Sequence, residues 1–491
     1  MQNSDFFKLS QEWEGITFPL ILSSIKCEKG YYNIPFDSEI EVCRDTEFRL
    51  KGIIKGTTNE YSDLEYQENG IRKNVGFIKG ENILANDNDF DYLIKNLTIE
   101  SIKINSYKTN TGIWHNFSCN VRFDSIESIS VGKAEIQTEW YLCSMPQILF
   151  ANQTTRYENQ VKYKIRHGLD EHLENHREVR NGYSTSWDFA ILNYKDFRII
   201  IQKVNKKYLP EWSNGLSIEY RSNNSVFPDD KIKTIVEEFI SFILGNHMQN
   251  IGSTEYCKDF NVLKMKSNNS WKRSLRMNGN INPVPLKNGY DRLYFEKLIN
   301  SLFSNFIEQY ETNNISDCLW KLWIGNDLSI GTNLPIIASG LEVLADSYLK
   351  NKKLIQKKTK TEKKEYQNLI SDELKSLEMK LVDYSFGKSV LNKLKNPYNL
   401  GVGEKLKIFF NELNMNYERD SIEAKAILAR NLMTHQKLET DDYDELLKIK
   451  KLSDAYISIV NRVILILIGH EGYYVDYSKE GERYLRIQQN L

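Results

Sequence analysis

The stretch Asn278-Gly-Asn-Ile-Asn-Pro-Val-Pro-Leu-Lys-Asn-Gly289 separates two different sequence grammars. It holds two prolines, two glycines and four asparagines with little periodicity, the composition of a linker. Before it, apolar residues recur at every second position. After it they recur at helical spacing. A chain with that switch is neither a uniform sandwich nor a uniform bundle. It reads as a multidomain α+β protein: a β-rich region over 1–285, antiparallel sheet or sandwich, followed by an all-α bundle over 286–491. A further split into two β subdomains is expected near 150–160. The length of 491 residues agrees, since domains average about 150 residues.

In the front half, Phe117, Cys119, Val121 and Phe123 alternate with polar residues, as do Ala134, Ile136, Thr138, Trp140 and Leu142. Period-two alternation buries one face of a sheet and wets the other. Phe197 to Val204 and Leu216 to Tyr220 extend the sheet past residue 190. One amphipathic helix is expected over Asp229 to Leu244, with Ile232, Ile235, Val236, Phe239 and Ile243 as its stripe. Six of the eight tryptophans lie in this half, and most are expected in sheet cores.

Behind the linker, helices are expected over Tyr290 to Thr312, Ser316 to Trp323, Pro335 to Lys350, Glu365 to Val382, Lys388 to Leu394 and Glu404 to Asn414. Two more follow. One is capped by Asp420-Ser-Ile-Glu423 and the other begins after Glu439-Thr-Asp-Asp442 and runs through Leu467. The apolar end of the last helix predicts burial on several sides, in the bundle or across a dimer interface.

The composition excludes several classes. At 41% hydrophobic and 12% aromatic, the chain has enough apolar side chain for sizeable cores. Its net charge of −1 gives no overall attraction to nucleic acid, so any basic site must be local. The six scattered cysteines, with no Cys-x-x-Cys, read as reduced thiols of a cytoplasmic protein. The first residues lack the pattern of a signal peptide. The longest apolar run, Val463 to Ile468, falls far short of the roughly 20 residues that span a bilayer. No membrane partner is expected.

Three clusters compete as functional sites. Lys350 to Lys364 carries eight lysines and one glutamate. Lys357, Lys358 and Lys360 are its candidates for contacting RNA phosphates without reading sequence, although such a run commonly forms a solvated helix end. His167, His172 and His176 read as part of a charge-laced helix rather than a metal site, because Glu174 sits one position late for H-E-x-x-H. The third cluster is Ala429-Arg-Asn-Leu-Met-Thr-His435, an arginine, a polar residue and a histidine on one helix. Arg166 to His172 is a second arginine-to-histidine match, with five intervening residues instead of four, but Gly168 interrupts it and no apolar helical run flanks it. On an earlier helix Glu342 adjoins the small residues Ala338 and Ala345. A half-buried carboxylate there needs a partner, and Arg430 is the candidate.

The pattern Arg430-Asn431-x-x-x-His435 resembles the R-x(4–6)-H signature of HEPN-type ribonucleases. Together with Gly340-Leu-Glu-Val-Leu-Ala345 and the β-rich front, it makes nearly the whole chain similar to the ApeA family of bacterial anti-phage proteins. That resemblance implies an N-terminal sensor or regulatory region joined to a HEPN ribonuclease domain. It implies a metal-independent endoribonuclease, needing no cofactor, that damages cellular RNA of the tRNA or rRNA class when a phage trigger is sensed. Growth arrest of the infected cell would follow. Arg430 and His435 would be the catalytic pair, Asn431 their polar companion and Glu342 an acidic helper. Self-association through the HEPN domain, as a dimer or higher oligomer, is also implied.

The residue types suit that chemistry. RNA carries its own nucleophile, the 2′-OH, so neither a protein nucleophile nor a metal is required. A histidine titrating near neutrality can take that proton or protonate the leaving 5′-oxygen. A permanently charged guanidinium suits the negative charge that grows on phosphorus. The products would be a 2′,3′-cyclic phosphate and a 5′-OH. The competing reading is a non-enzymatic dimeric interaction module with a ligand-binding β region. A carbohydrate-active β protein would need facing carboxylates or exposed Trp platforms, which the front half does not display.

Overall fold

The structure, a computed structural model, describes residues 20–487 except 30, 33, 46–47, 60–66, 69–70, 73–79, 88–89, 130–131, 158–163, 168–170, 174–182, 205–213, 223–225, 259–261, 270–279, 355–359, 396–399, 416–420, 436–441 and 482. For 67–68, 71–72, 156–157, 164–167, 171–173, 183–184, 360–363, 393 and 431–435 the description extends to the backbone only. Two compact units emerge, one from residues 1–280 and 286–301, the other from 281–285 and 302–491.

The first unit is antiparallel throughout. Its strands are β1 (Leu20–Cys27), β2 (Glu39–Arg44), β3 (Leu50–Thr58), β4 (Gln67–Glu68), β5 (Ile71–Arg72), β6 (Glu81–Asn86), β7 (Asp91–Thr109), β8 (Gly112–Arg122) and β9 (Ser125–Ile129). They continue as β10 (Ile136–Cys143), β11 (Asn152–Tyr157), β12 (Lys164–His167), β13 (Glu171–Leu173), β14 (Tyr183–Tyr194), β15 (Phe197–Lys203), β16 (Asn214–Arg221), β17 (Gln249–Tyr256) and β18 (Val262–Asn268). Sixteen of these strands are linked in one hydrogen-bonded sheet, and β4 pairs with β5 alone.

The sheet closes on itself at one end. Strands β1, β2, β3, β8, β7 and β6 pair in a complete circuit, because the long β7 holds β6 with its first half and β8 with its second. The β6 pairing ends at Leu97 and the β8 pairing begins at Thr98, with a register shift between Ile99 and Ser101 just inside the second half. The alternation read at Phe117, Cys119, Val121 and Phe123 points into this barrel. All four are buried, in one cluster with Leu22, Ile40, Ile54, Ile83 and Ile94. Closure removes the exposed edges that an open sheet would leave. Glu81, fully buried, accepts the backbone N–H groups of Lys29 and Tyr31 at 2.6 Å each, tying down the chain after β1.

Beyond β9 the sheet runs open through β18, β17, β10, β16, β15, β14, β11, β12 and β13. Helix α1 (Asp230–Leu244) belongs to this part. Asp229 caps it by accepting from Ile232 N–H, and Gly245 ends it in the left-handed conformation. Ile235, Val236, Phe239 and Ile243 are buried, as the stripe predicted, whereas Ile232 in the first turn is half-buried. The helix expected around the histidine cluster is a correction. Lys164–His167 and Glu171–Leu173 are paired strands, with Arg166 opposite Glu171 and Ile165 opposite His172. A backbone edge offered by β11 outweighs a helical tendency that Gly168 already interrupts. His176 lies outside the described residues.

Residues 281–285 are not a free linker. Ile281 and Val284 are buried, the Ile281 carbonyl accepts from Asn461 Nδ2 at 3.1 Å, and the Pro283 carbonyl accepts from Val475 N–H at 2.9 Å. The helices that follow are α2 (Tyr294–Thr312), α3 (Ile315–Asp327), α4 (Asn333–Asn351), α5 (Lys360–Leu369), α6 (Ser371–Leu381), α7 (Gly387–Lys395), α8 (Val402–Glu412), α9 (Ile422–His435) and α10 (Tyr443–Leu467). The helix expected over Glu365 to Val382 is broken at Ile370 into α5 and α6. The C-terminal unit is not purely helical either: β19 (Tyr473–Val475) and β20 (Tyr484–Arg486) form a short antiparallel pair after α10. The second half of α10 is buried on all sides from Ala455 to Asn461. No helix among the described residues is long and apolar enough to cross a membrane.

Candidate active site

Helix α4 supplies the frame. Its start is fixed by Asn333, whose Oδ1 accepts from Ser453 Oγ of α10 at 3.0 Å and from Gly331 N–H at 3.2 Å. Pro335 occupies the first turn, where its missing N–H is harmless. Leu334, Ile337, Ala338, Leu341, Leu344 and Ala345 are buried. At Gly340 a Cβ would meet the Cys318 carbonyl oxygen at 3.1 Å, so α3 lies hard against α4. Beside the buried face run Glu342, Asp346 and Lys350, four residues apart and therefore on one side of the helix.

Helix α9 brings the arginine. Ser421 Oγ accepts from Ala424 N–H at 3.2 Å and so caps the helix, whereas Asp420 lies outside the described residues. Ala424, Ala426 and Ala429 are buried, and such small side chains let α9 approach its neighbours closely. Arg430 comes next, and its Nη2 stands 2.7 Å from Glu342 Oε1. Both side chains are about three-quarters buried, with 25% and 22% of their surface exposed. The contact is not aligned as a hydrogen bond, and Glu342 Oε1 has no hydrogen-bond donor among the described residues. The short separation weighs more than the misalignment, because Coulomb attraction depends on distance.

A second pair adjoins the first. Asp346 Oδ1 accepts from Lys405 Nζ of α8 at 2.9 Å, with Lys350 Nζ 3.7 Å from its other oxygen. Lys321 of α3 donates to the Ser339 carbonyl at 3.4 Å. Burial raises the Glu342 carboxyl above the ordinary carboxylate range. Arg430 opposes that shift, Asp346 reinforces it, and Lys321 and Lys405 oppose it more weakly. The arrangement presents one guanidinium, held by a carboxylate that ionises reluctantly, beside further cations. It is suited to an anionic group in which charge develops.

Of the residues singled out from the sequence, Glu342 and Arg430 are brought together. Asn431 and His435 belong to α9, with His435 its last residue, but their side chains lie outside the described residues. Lys357 and Lys358 lie outside them too, and Lys360 is described only as the backbone start of α5. Asp346, Lys405 and Lys321 were not anticipated. Asp346 alone had a legible signal, four residues after Glu342 on a predicted helix. Arg166, of the second Arg-to-His match, lies on a strand in the other unit. Compared with family models, with curated proteins and with solved structures, the chain finds no match.

Proposed function

We propose that the chain is a metal-independent endoribonuclease, and that its helical unit cuts cellular RNA of the tRNA or rRNA class by 2′-OH attack. The single observation that supports this most is the Arg430–Glu342 pair, joining two helices five residues before His435. Arg430 neutralises the non-bridging phosphate oxygens as the phosphorane forms. His435 accepts the 2′-OH proton or protonates the departing 5′-oxygen, and Asn431 orients the imidazole or holds a phosphate oxygen. Glu342 restrains the guanidinium and so limits the conformers it must give up on binding. The bond broken is P–O5′ and the bond formed is P–O2′, leaving 2′,3′-cyclic phosphate and 5′-OH ends.

The reading extends, through the resemblance to ApeA-type HEPN proteins, to anti-phage defence in which RNA damage arrests the infected cell. It also extends to self-association of the helical unit and to the β-rich unit as its regulator. Its rival is a non-enzymatic module, which takes the neutralised Arg430 as purely structural.

The test is incubation of wild-type, Arg430→Ala and His435→Ala protein with total tRNA and rRNA in EDTA, with and without phage lysate, followed by end-group analysis. Cyclic-phosphate ends produced by wild type alone are expected. Cleavage at the wild-type rate by either variant, or none by wild type under both conditions, overturns the assignment in favour of the module.

A further inference from the structure

Helix α4 carries its charged residues in one row, and cations from neighbouring helices close on it. Four residues along an α-helix advance about 6 Å, so Glu342, Asp346 and Lys350 form a ladder of that step. Arg430 meets the first rung at 2.7 Å and Lys405 the second at 2.9 Å. Both cations also act on the Glu342 carboxylate, which places them near one another. Two positive groups about one helical turn apart are comparable in spacing with neighbouring phosphates along an extended single strand, and each phosphate carries one negative charge.

The Lys405–Asp346 pair is not needed to hold these helices together. Helix α8 is anchored by Leu406, Phe409 and Phe410, all buried, and the Phe409 ring centre lies 5.1 Å from that of Tyr348 on α4. A partly exposed ion pair adds little to such packing. Lys405 keeps 27% of its side chain exposed. Its ammonium has three N–H donors, and among the described residues its hydrogen-bond partner is Asp346 alone. Lys350 Nζ stands 3.7 Å from the other oxygen of Asp346, so one carboxylate serves two lysines. Lys321 of α3 donates to the Ser339 carbonyl and makes no ion pair among the described residues. The other carboxylates of α3, α4 and α8 do not offset these three lysines. Glu342 faces Arg430, and Glu404 accepts the Gly401 N–H at the start of its own helix. Asp317 and Glu412 are exposed, and Asp327 lies six residues beyond Lys321, about 9 Å along the helix. The positive surplus beside Asp346 is therefore separate from the Arg430–Glu342 pair.

We propose that Lys405 binds the RNA phosphate next to the one that Arg430 takes, and that Asp346 is the positioning residue that holds Lys405 for it. The site thereby engages two consecutive phosphates of a single strand and reads no base. Which of the two linkages is cut rests on the nuclease reading; the phosphate contact itself is a matter of binding.

The full chain is titrated with 2′-O-methyl hexanucleotides, which cannot be cut by 2′-OH attack. All linkages are uncharged methylphosphonates except one, two adjacent, or two separated phosphates. For wild type the adjacent pair should bind about tenfold more tightly than the single phosphate, with a salt slope steeper by about 0.7, and the separated pair should gain little. Lys405→Gln should lose the gain from adjacency, and Lys405→Arg should restore it, which a role confined to packing would not do. The series on wild type alone decides the matter if Lys405→Gln fails to fold. The proposal is overturned if wild type binds none of the strands, if adjacent and separated pairs bind alike, or if Lys405→Gln keeps the wild-type gain. A gain that depends on Lys405, in a protein that cuts no RNA with or without phage lysate, upholds the contact and overturns the nuclease reading instead.

Discussion

Asp346 Oδ1 and Lys405 Nζ meet at 2.9 Å, one helical turn from the contact between Glu342 and Arg430. Helix α4 therefore carries two carboxylates of like charge on one side, each matched by a cation from a different helix. The like charge of Asp346, added to burial, is what Arg430 must overcome to keep Glu342 ionised.

The pH dependence follows from that balance. The Glu342 carboxyl is raised in the folded protein above its ordinary value of 4.5. Its contribution to stability is therefore full below that value and is lost as pH rises through the higher folded value. Glu342→Gln should flatten the fall in stability just above pH 4.5, and Asp346→Asn should do so partly. Denaturant melts of the helical unit from pH 4 to 7 check this; an unchanged slope in Glu342→Gln would show the shift to be absent.

Arg430→Lys keeps the charge and loses the planar fork. If the helical unit is the nuclease proposed above, RNA cleavage should fall by about 10²–10³-fold, the usual loss for a donor aimed at developing negative charge, with RNA affinity far less affected. Single-turnover rates beside filter-binding constants separate the two. A fall of less than tenfold would remove the guanidinium from the reacting phosphate.

Gly325 lies buried on α3, and a Cβ there would sit 2.3 Å from Ile337 Cγ1 of α4. Gly325→Ala gains about 1 kcal/mol of helix propensity. Forcing apart helices α3 and α4, which frame Glu342, costs about 1–3 kcal/mol. The net effect should be destabilising, read as a lower urea midpoint, and an increase would mean that Ile337 yields easily.

Burial pushes the Cys119, Cys143 and Cys318 thiols up to about 12 and Cys27 to about 11. Thiolates, not thiols, react with disulfide reagents. At pH 8 the native protein should leave these four unlabelled while the partly exposed Cys257 reacts, and guanidinium should release all six. Rapid native labelling of Cys119 or Cys318 would contradict the packing described.

The large divisions of the fold were legible because periodicity reports directly on which side of an element is dry. Phe117, Cys119, Val121 and Phe123 announced a strand, and Asp229 with its apolar stripe announced α1. The turn at Ile370 was not legible, since helical propensity runs through it without a break. The histidine segment misled because its charged residues suit a helix surface as well as a sheet edge. The role of residues 281–285 was hidden too: proline and asparagine favour irregular chain, and donors distant in sequence, from Asn461, Val475 and Tyr477, make that chain part of a core.

The sequence by itself determined that β structure precedes helix, which faces are apolar, and that Arg430 and His435 share one helix. These are local properties, set by side-chain spacing along the chain. Only the tertiary structure decided that β7 closes a six-stranded circuit, that Glu342 meets Arg430 across a sequence separation of 88 (430 − 342), and that Lys405 meets Asp346 beside them. Those contacts join residues distant in sequence. They depend on how whole elements pack, which spacing along a single element does not encode.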